Sequence, residues 1–180
     1  MASCVNYNCT ELGTHAQNDC NTLLLGGVPE AILLLCGHTV TDPSSASQIT
    51  ANIASGKAKK IIGVKIEITK ASPVNIPSDI GGEPDTLVNY TRNGTMVDAN
   101  VSQTTVNFYN DLLTGMPIAG MIIHESDAEQ VTWINEIMKF TGSRVIPGVV
   151  DDRQRWEIDF TWKSKYEGSI YSVPVGIFSY

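Results

Sequence analysis

The sequence predicts an α+β fold: a mainly antiparallel β-sheet, or a barrel or sandwich, with two flanking α-helices. Apolar and polar residues alternate without interruption over 155–163, as in a half-buried strand. Asn93-Gly94 is typical of the tight turn of an antiparallel hairpin. Two amphipathic segments, 43–55 and 127–140, follow helix-start signals.

The first elements are predicted to be a strand, a helix and a second strand. The continuous apolar run 31–36 predicts a buried strand. Asp42, followed by proline, predicts the start of helix 43–55, and Gly56 is placed as the left-handed residue that ends it. Alternating apolar residues then predict a strand over 61–68.

The middle of the chain combines a loop, the hairpin and an ambiguous segment. Prolines and glycines predict a long exposed loop at 71–85. Strands 86–91 and 96–101 are predicted on either side of the Asn-Gly turn. In 102–113 the β-branched residues favour a strand, whereas the apolar spacing favours a short helix that Gly115 ends.

The second half repeats the strand–helix–strand plan. An apolar strand is predicted at 117–123, and the capping-box pattern beginning at Ser126 predicts helix 127–140. Strand 145–150 follows, and the chain closes with a C-terminal β-ribbon, 153–180, whose second strand returns along its first. We expect both helices on one side of a mixed or mainly antiparallel sheet.

Length and composition predict one domain with an N-terminal extension. At 180 residues with 42% hydrophobic content, the chain can build a full core. Residues 1–28 are polar and contain cysteines, so we expect an N-terminal arm there and a single β-rich domain over 29–180.

The charge balance argues against one class of function. Twelve Lys and Arg residues stand against 19 Asp and Glu, a net charge of −7. A protein that grips phosphates without sequence preference needs a cationic surface. The N-terminus lacks a basic region of the kind that opens a signal peptide, so we expect a soluble protein made in a cytoplasm.

Four cysteines fall in the first fifth of the chain: Cys4, Cys9, Cys20 and Cys36. In the expected compartment they are predicted to be free thiols. The sharper alternative is a zinc site formed by these cysteines with His15 and His38 nearby, but their spacing lacks the C-x2-C arrangement of a zinc knuckle. We therefore expect no cofactor.

A possible acid–base site is found at the end of the predicted strand 117–123. His124, Glu125 and Asp127 could serve a small enzyme if a pocket surrounds them. The favoured interpretation is a solvated helix N-terminus, whose acids complement the helix dipole.

The three tryptophans, Trp133, Trp156 and Trp162, could form a platform for a sugar or a nucleobase. Aromatic residues at alternating strand positions are more often core or subunit interface. We expect an interface between copies of this chain that includes six C-terminal residues: Trp156, Ile158, Phe160, Trp162, Ile177 and Phe178.

The terminal sequence Arg-Trp-Glu-Ile-Asp-Phe-Thr-Trp at 155–162, with the acidic composition, the strand–helix–strand blocks and the Asn-Gly hairpin, resembles small virion proteins of tailed bacteriophages, of the tail-tube and neck-ring kind. The N-terminal residues 1–9 and the 164–178 ending are similar to proteins of crAss-like and other Bacteroidetes-infecting phages. The resemblance implies a β-barrel or sandwich with a flanking helix, assembled in sixfold or twelvefold rings around a DNA channel. It implies no catalysis.

The expected function is therefore that of a non-enzymatic virion structural subunit, in a homo-oligomeric ring or tube at the neck or tail. Its expected partners are further copies of itself, neighbouring portal, ring or tail subunits, and genomic DNA that passes without tight binding; no membrane is involved. The particle would be assembled in the host cytoplasm. A capsid decoration protein is the nearest alternative. A host-surface or carbohydrate-binding module, or a small enzyme using His124 and Glu125, represents the other classes.

If the chain surrounds DNA, an acidic inner wall would keep the duplex from adhering. The acids expected nearest such a lumen are Glu67, Glu83, Asp85, Glu157 and Asp159. An outer or inter-ring position for them is an equal alternative.

Overall fold

Two antiparallel β-sheets and two helices form the fold in the computed structural model, which describes residues 30–38, 40–76, 86–124, 129–148 and 154–178. The helices are α1 (Ala46–Ala54) and α2 (Gln103–Leu113). The strands are β1 (Glu30–Leu35), β2 (Ala58–Ile62), β3 (Val64–Ile68), β4 (Ser72–Ile76), β5 (Thr86–Asp98), β6 (Ile118–His124), β7 (Gln130–Ile134), β8 (Lys139–Val145), β9 (Arg155–Ser164) and β10 (Ser169–Ser172). The predicted α+β class is confirmed. The boundary between an arm at 1–28 and the domain stays a prediction, because residues 1–29 lie outside the described part.

The first sheet, sheet I, has the strand order β10-β7-β6-β1-β2 and is covered on both faces. One face meets the second sheet, and the other meets α1 and the C-terminal segment through Ile49 and Phe178. All six residues of β1 are buried as a result. This explains why the predicted strand 31–36, confirmed here, is continuously apolar rather than alternating.

The second sheet, sheet II, has the order β3-β5-β9-β8, and β4 pairs with β5 beyond β3. The chain passes from sheet I to sheet II at Gly63, whose φ of 80° lies in the left-handed region. The predicted single strand 61–68 is therefore two strands in different sheets. Only the inner face of sheet II is packed, so its strands alternate.

Helix α1 begins three residues later than predicted. Ser45 is the N-cap, while Asp42 lies in the preceding turn and accepts hydrogen bonds from the Ser44 amide (2.9 Å) and hydroxyl (2.6 Å). The predicted ending is confirmed. Gly56 adopts φ 73°, and its amide donates to Ile53 while the next amide, that of Lys57, donates to Asn52, the Schellman arrangement.

The ambiguous segment at 102–113 is the helix α2. The Ser102 hydroxyl accepts a hydrogen bond from the Thr105 amide, and this cap outweighs the strand preference of the β-branched residues. Phe108, Tyr109 and Leu112 are buried on one face of the helix. They add to the core between the sheets.

The predicted Asn-Gly hairpin is wrong. Strand β5 runs through Asn93 and Gly94 without turning, and it pairs with β9 along their common length, Gly94 opposite Phe160. A Cβ on Gly94 would lie 2.2 Å from the Phe160 ring. The glycine therefore makes room for an aromatic ring rather than for a turn.

The predicted helix 127–140 is also wrong. Over the described residues this segment forms β7 and the start of β8, while 125–128, which contain the capping serine, lie outside the description. Because sheet I is buried on both faces, Trp133 and Ile134 are both covered and the two-residue period is lost. Without a two-residue period, the apolar spacing of this segment resembles that of a helix. The predicted strand 145–150 is wrong over 146–148, since β8 ends at Val145, and its residues 149 and 150 lie outside the described part.

The C-terminal segments do not form the predicted ribbon. Strand β9 is confirmed, with the alternating burial that the sequence indicated, but it lies between β5 and β8. Strand β10 pairs with β7 in sheet I instead of returning along β9. The expected loop 71–85 contains β4, and its residues 77–85 lie outside the described part.

Candidate assembly surface

One end of sheet II extends beyond the rest of the sheet. Strand β9 pairs with β5 only from Tyr90 onward, whereas β4 pairs with β5 back to Thr86. Residues 72–76 and 86–89, called here the projecting end, are thus a two-stranded extension. Leu87 and Val88 within it are 44% and 46% exposed. Two strands alone are marginally stable in water, so this end gains from a covering partner.

The junction between β3 and β4 bends the edge of the sheet. Between the pairs Ile68–Gly94 and Ser72–Thr91, three residues of this edge face two residues of β5. The Thr69 amide and hydroxyl both donate to the Asn93 carbonyl, at 2.9 and 3.0 Å. Such an irregularity redirects an edge strand, and here it opens a groove towards sheet I.

This groove, called here the Arg92 groove, has a volume of about 610 Å³. It lies between the β3–β4 junction, β5 and the start of β10, with Trp162 also in its lining. The side chains that define it are Ile68, Lys70, Tyr90, Arg92, Glu167 and Ile170. Ile68 and Ile170 are exposed, so the lining of the groove combines the two cations Lys70 and Arg92 with exposed apolar surface.

Arg92 is the most unusual residue of the groove. It occupies an inward position of β5, opposite Trp162, and its side chain is only 10% exposed. Its Nη1 lies 3.5 Å from Glu167 Oε1, and its guanidinium carbon lies 5.6 Å from the centre of the Tyr90 ring. The buried Nε has no hydrogen-bond partner in the part of the chain that the structure describes. The sequence prediction did not include Arg92, because it placed this residue beside a turn. Its spacing of two residues from Gly94 and four from Met96 puts Arg92 on the packed face of β5, and this spacing was the signal that the sequence offered.

The outer face of sheet II is polar and carries both signs of charge. Three acids expected at a lumen, Glu67, Glu157 and Asp159, are exposed there. They share the face with the exposed lysines Lys65, Lys139 and Lys163. Glu157 pairs with Arg155 at 2.7 Å. The position of this face relative to a lumen stays a prediction, and Glu83 and Asp85 lie outside the described residues.

The residues predicted to form an interface lie in the chain's own core. Trp156, Ile158, Phe160 and Trp162 face sheet I on β9, and Phe178 covers the opposite side of sheet I, with Ile177 partly buried beside it. A single chain does not test their contact with another copy, so that part stays a prediction.

The tryptophans do not form an open platform. Trp133, Trp156 and Trp162 are 6%, 4% and 4% exposed. Trp156 lies 4.8 Å from the Tyr109 ring, and Trp162 stacks on Phe160 at 5.8 Å. Rings of the chain itself cover Trp156 and Trp162, and all three tryptophans are buried, so stacking on a sugar at these side chains is excluded in this conformation.

His124 is a core residue and not an exposed catalytic group. It ends β6, is completely buried and stacks on Phe178 with ring centres 4.8 Å apart. Glu30 is its cross-strand neighbour and forms a 2.8 Å ion pair with Lys60. Glu125 and Asp127 lie outside the described residues. The predicted solvated helix N-terminus is wrong here, since no helix follows in the described segment 129–148.

Cys36 is disulfide-bonded, so the expectation of free thiols is wrong at this position. A disulfide sulfur is not a thiolate, and Cys36 therefore leaves the candidate zinc set. Cys4, Cys9 and Cys20 lie outside the described residues, as does His15. Among the residues that are described, three or more metal-ligating side chains do not come together anywhere.

A buried hydrogen bond connects α2 with sheet II. Tyr109 donates a 2.9 Å hydrogen bond to Asp98, and burial, with the nearby Asp98 charge, raises the pKa of the tyrosine well above its ordinary value. This pair fixes α2 against sheet II.

Neither helix in the described ranges is long and apolar enough to cross a membrane.

A similarity to known proteins is found among solved structures. No protein-family model and no curated protein matches the chain. A chain from the tail of an empty GTA particle, determined with helical refinement and C6 symmetry, is similar over 88% of this chain and 99% of its own length, at 13% identity and a TM-score of 0.40. That TM-score is too low to transfer a fold or a function to this chain.

Proposed function

We propose that this chain is a non-enzymatic structural subunit of a tailed-phage type of virion, which assembles with copies of itself into a ring or tube at the neck or tail. The proposal combines the sequence resemblance over 155–162 with the surfaces described above. The narrower similarity to crAss-like phage proteins, the copy number and the neighbouring portal or tail subunits stay predictions.

The projecting end is the observation that carries the proposal. Seven large apolar side chains are exposed among the described residues, and four of them, Ile68, Leu87, Val88 and Ile170, lie on this end or in the adjoining groove. Completing the burial of Leu87 and Val88 would contribute about 1 kcal/mol each, roughly half of the value for a fully exposed side chain. Exposed apolar side chains concentrated at one end of a sheet are typical of a contact site.

The strand edges support assembly as well. Sheet I ends in β10 and β2, and sheet II ends in β8 and the β3–β4 edge. Edges that no other described strand covers invite pairing with another chain, and a closed ring removes such edges. The outer face of sheet II mixes three acids with the cations Lys65, Lys139, Arg155 and Lys163, so it is not the uniformly basic surface that grips DNA.

Electron microscopy of the purified full chain tests the proposal. We expect rings or tubes from the parent and their loss from the double variant Leu87→Ser/Val88→Ser. Val175→Ser is the matched control, because Val175 is also an exposed valine but lies in the C-terminal segment. Single particles of one-chain size from the parent would contradict the proposal, and equal loss in the control would show that the projecting end is not the contact.

A further inference from the structure

Arg92 is a desolvated cation with little compensation. Its side chain is 90% buried, yet the ion pair that it forms within the described residues joins it at 3.5 Å to Glu167, a side chain that is 89% exposed. Exposed ion pairs contribute about 0–1 kcal/mol, whereas a buried charge needs close hydrogen bonds to offset its loss of water. The guanidinium is therefore poorly satisfied in the single chain.

The groove around Arg92 has the features of a carboxylate receptor. A guanidinium binds a carboxylate through two parallel hydrogen bonds, and Lys70 adds a second positive charge to the lining. Ile68 and Ile170 provide exposed apolar surface beside the charges. This combination fits an acidic side chain next to an apolar one on an extended segment.

We infer that the Arg92 groove receives an acidic side chain from a second copy of this chain, which displaces Glu167 from the guanidinium. The inference rests on the proposed assembly and names one of its contacts. Glu167 acts as a placeholder that keeps the groove occupied in the free chain.

Charge complementarity favours a second copy as the occupant. The chain carries 19 acidic against 12 basic residues, so its copies present carboxylates in excess, whereas this groove concentrates two cations. The groove and the acidic side chain that enters it are different parts of the surface, so the contact can repeat from one copy to the next. Repeated in this heterologous way it generates a ring or a helical tube, whereas the reciprocal arrangement of the same contact closes as a two-fold dimer.

Sedimentation velocity over a concentration series measures the association constant of the parent and four variants. Arg92→Gln is expected to reduce it at least about tenfold, because the partner's carboxylate would be left buried without its cation. Glu167→Gln is expected to raise it by up to about fivefold, because the competing carboxylate is removed. Arg155→Gln and Glu157→Gln are matched controls at an exposed ion pair away from the groove and should leave it within about twofold.

The outcomes separate the inference from the proposed function. If the parent associates while Arg92→Gln and Glu167→Gln behave like the controls, the inference is wrong and the assembly stands. If Glu167→Gln weakens association, Glu167 is itself the contact and the placeholder role is wrong. If the parent stays monomeric at all concentrations, both fail. Because Glu167 is exposed, its variant decides the matter even if Arg92→Gln does not fold.

Discussion

Sheet I and sheet II differ in how many of their faces the chain itself covers. Sheet I is buried on both sides, and its central strand β1 has no exposed residue. Sheet II is buried on one side only, and part of β5 extends past its neighbour β9. The burial of sheet I thus contributes mainly to the stability of the fold. Sheet II offers a solvated face, a groove and a projecting end for contacts with other molecules.

The largest expected effect distinguishes the two faces of sheet II. Phe160→Ala removes a completely buried ring that packs on Phe140 and Trp162, and should lower the free energy of unfolding by about 3–5 kcal/mol. The neighbouring Thr161→Ala, on the outer face, should change it by no more than about 0.5 kcal/mol. Urea denaturation measures both. Equal effects would show that β9 does not separate a core face from a solvated face.

A smaller effect compares the two sheets on either side of Gly63. Lys60 in β2 pairs with buried Glu30, so Lys60→Met should cost about 1.5–3 kcal/mol, as for hydrogen bonds to charged groups. Lys65 in β3 lies on the exposed face, and Lys65→Met should stay within about 0.5 kcal/mol. Thermal and urea unfolding provide the comparison. A loss at Lys65 as large as that at Lys60 would contradict the assignment of covered and open faces.

The smallest expected effect concerns the contact of α2 with sheet II. Tyr109→Phe removes the hydrogen bond to Asp98 and should cost about 1 kcal/mol near neutral pH. Because the folded chain raises the pKa of Tyr109, the unfolded chain releases this proton first, and stability should fall above about pH 10 by up to about 1.4 kcal/mol per pH unit.

The check is unfolding measured from pH 7 to 11. The alkaline loss should be shallower in Tyr109→Phe than in the parent. Identical slopes in the two proteins would show that Tyr109 is not the group responsible.

The sequence prediction is correct for elements whose residue pattern has only one physical cause. Strand β9 alternates because one face is packed and the other solvated, and Gly56 ends α1 through its left-handed backbone. It failed where one pattern had two physical origins. Gly94 indicated a turn but accommodates the Phe160 ring, and the doubly buried strand β7 resembled a helix.

The candidate site was less predictable than the fold. The sequence directed attention to Trp156 and Trp162 as contact residues, because aromatic strand faces serve cores and interfaces alike. Arg92 and Glu167 come together only through the three-dimensional crossing of β5 with the β9–β10 connection. No spacing along the chain encodes that proximity.

The native mass of the full chain tests the central claim most directly. The account predicts that sedimentation of the parent gives an assembly of six or more 19.5 kDa chains, and that Leu87→Ser/Val88→Ser gives single chains that still unfold in one cooperative transition. That pair of results would place assembly on the projecting end and stability in the covered core. A parent that remains at 19.5 kDa at high concentration would contradict the account.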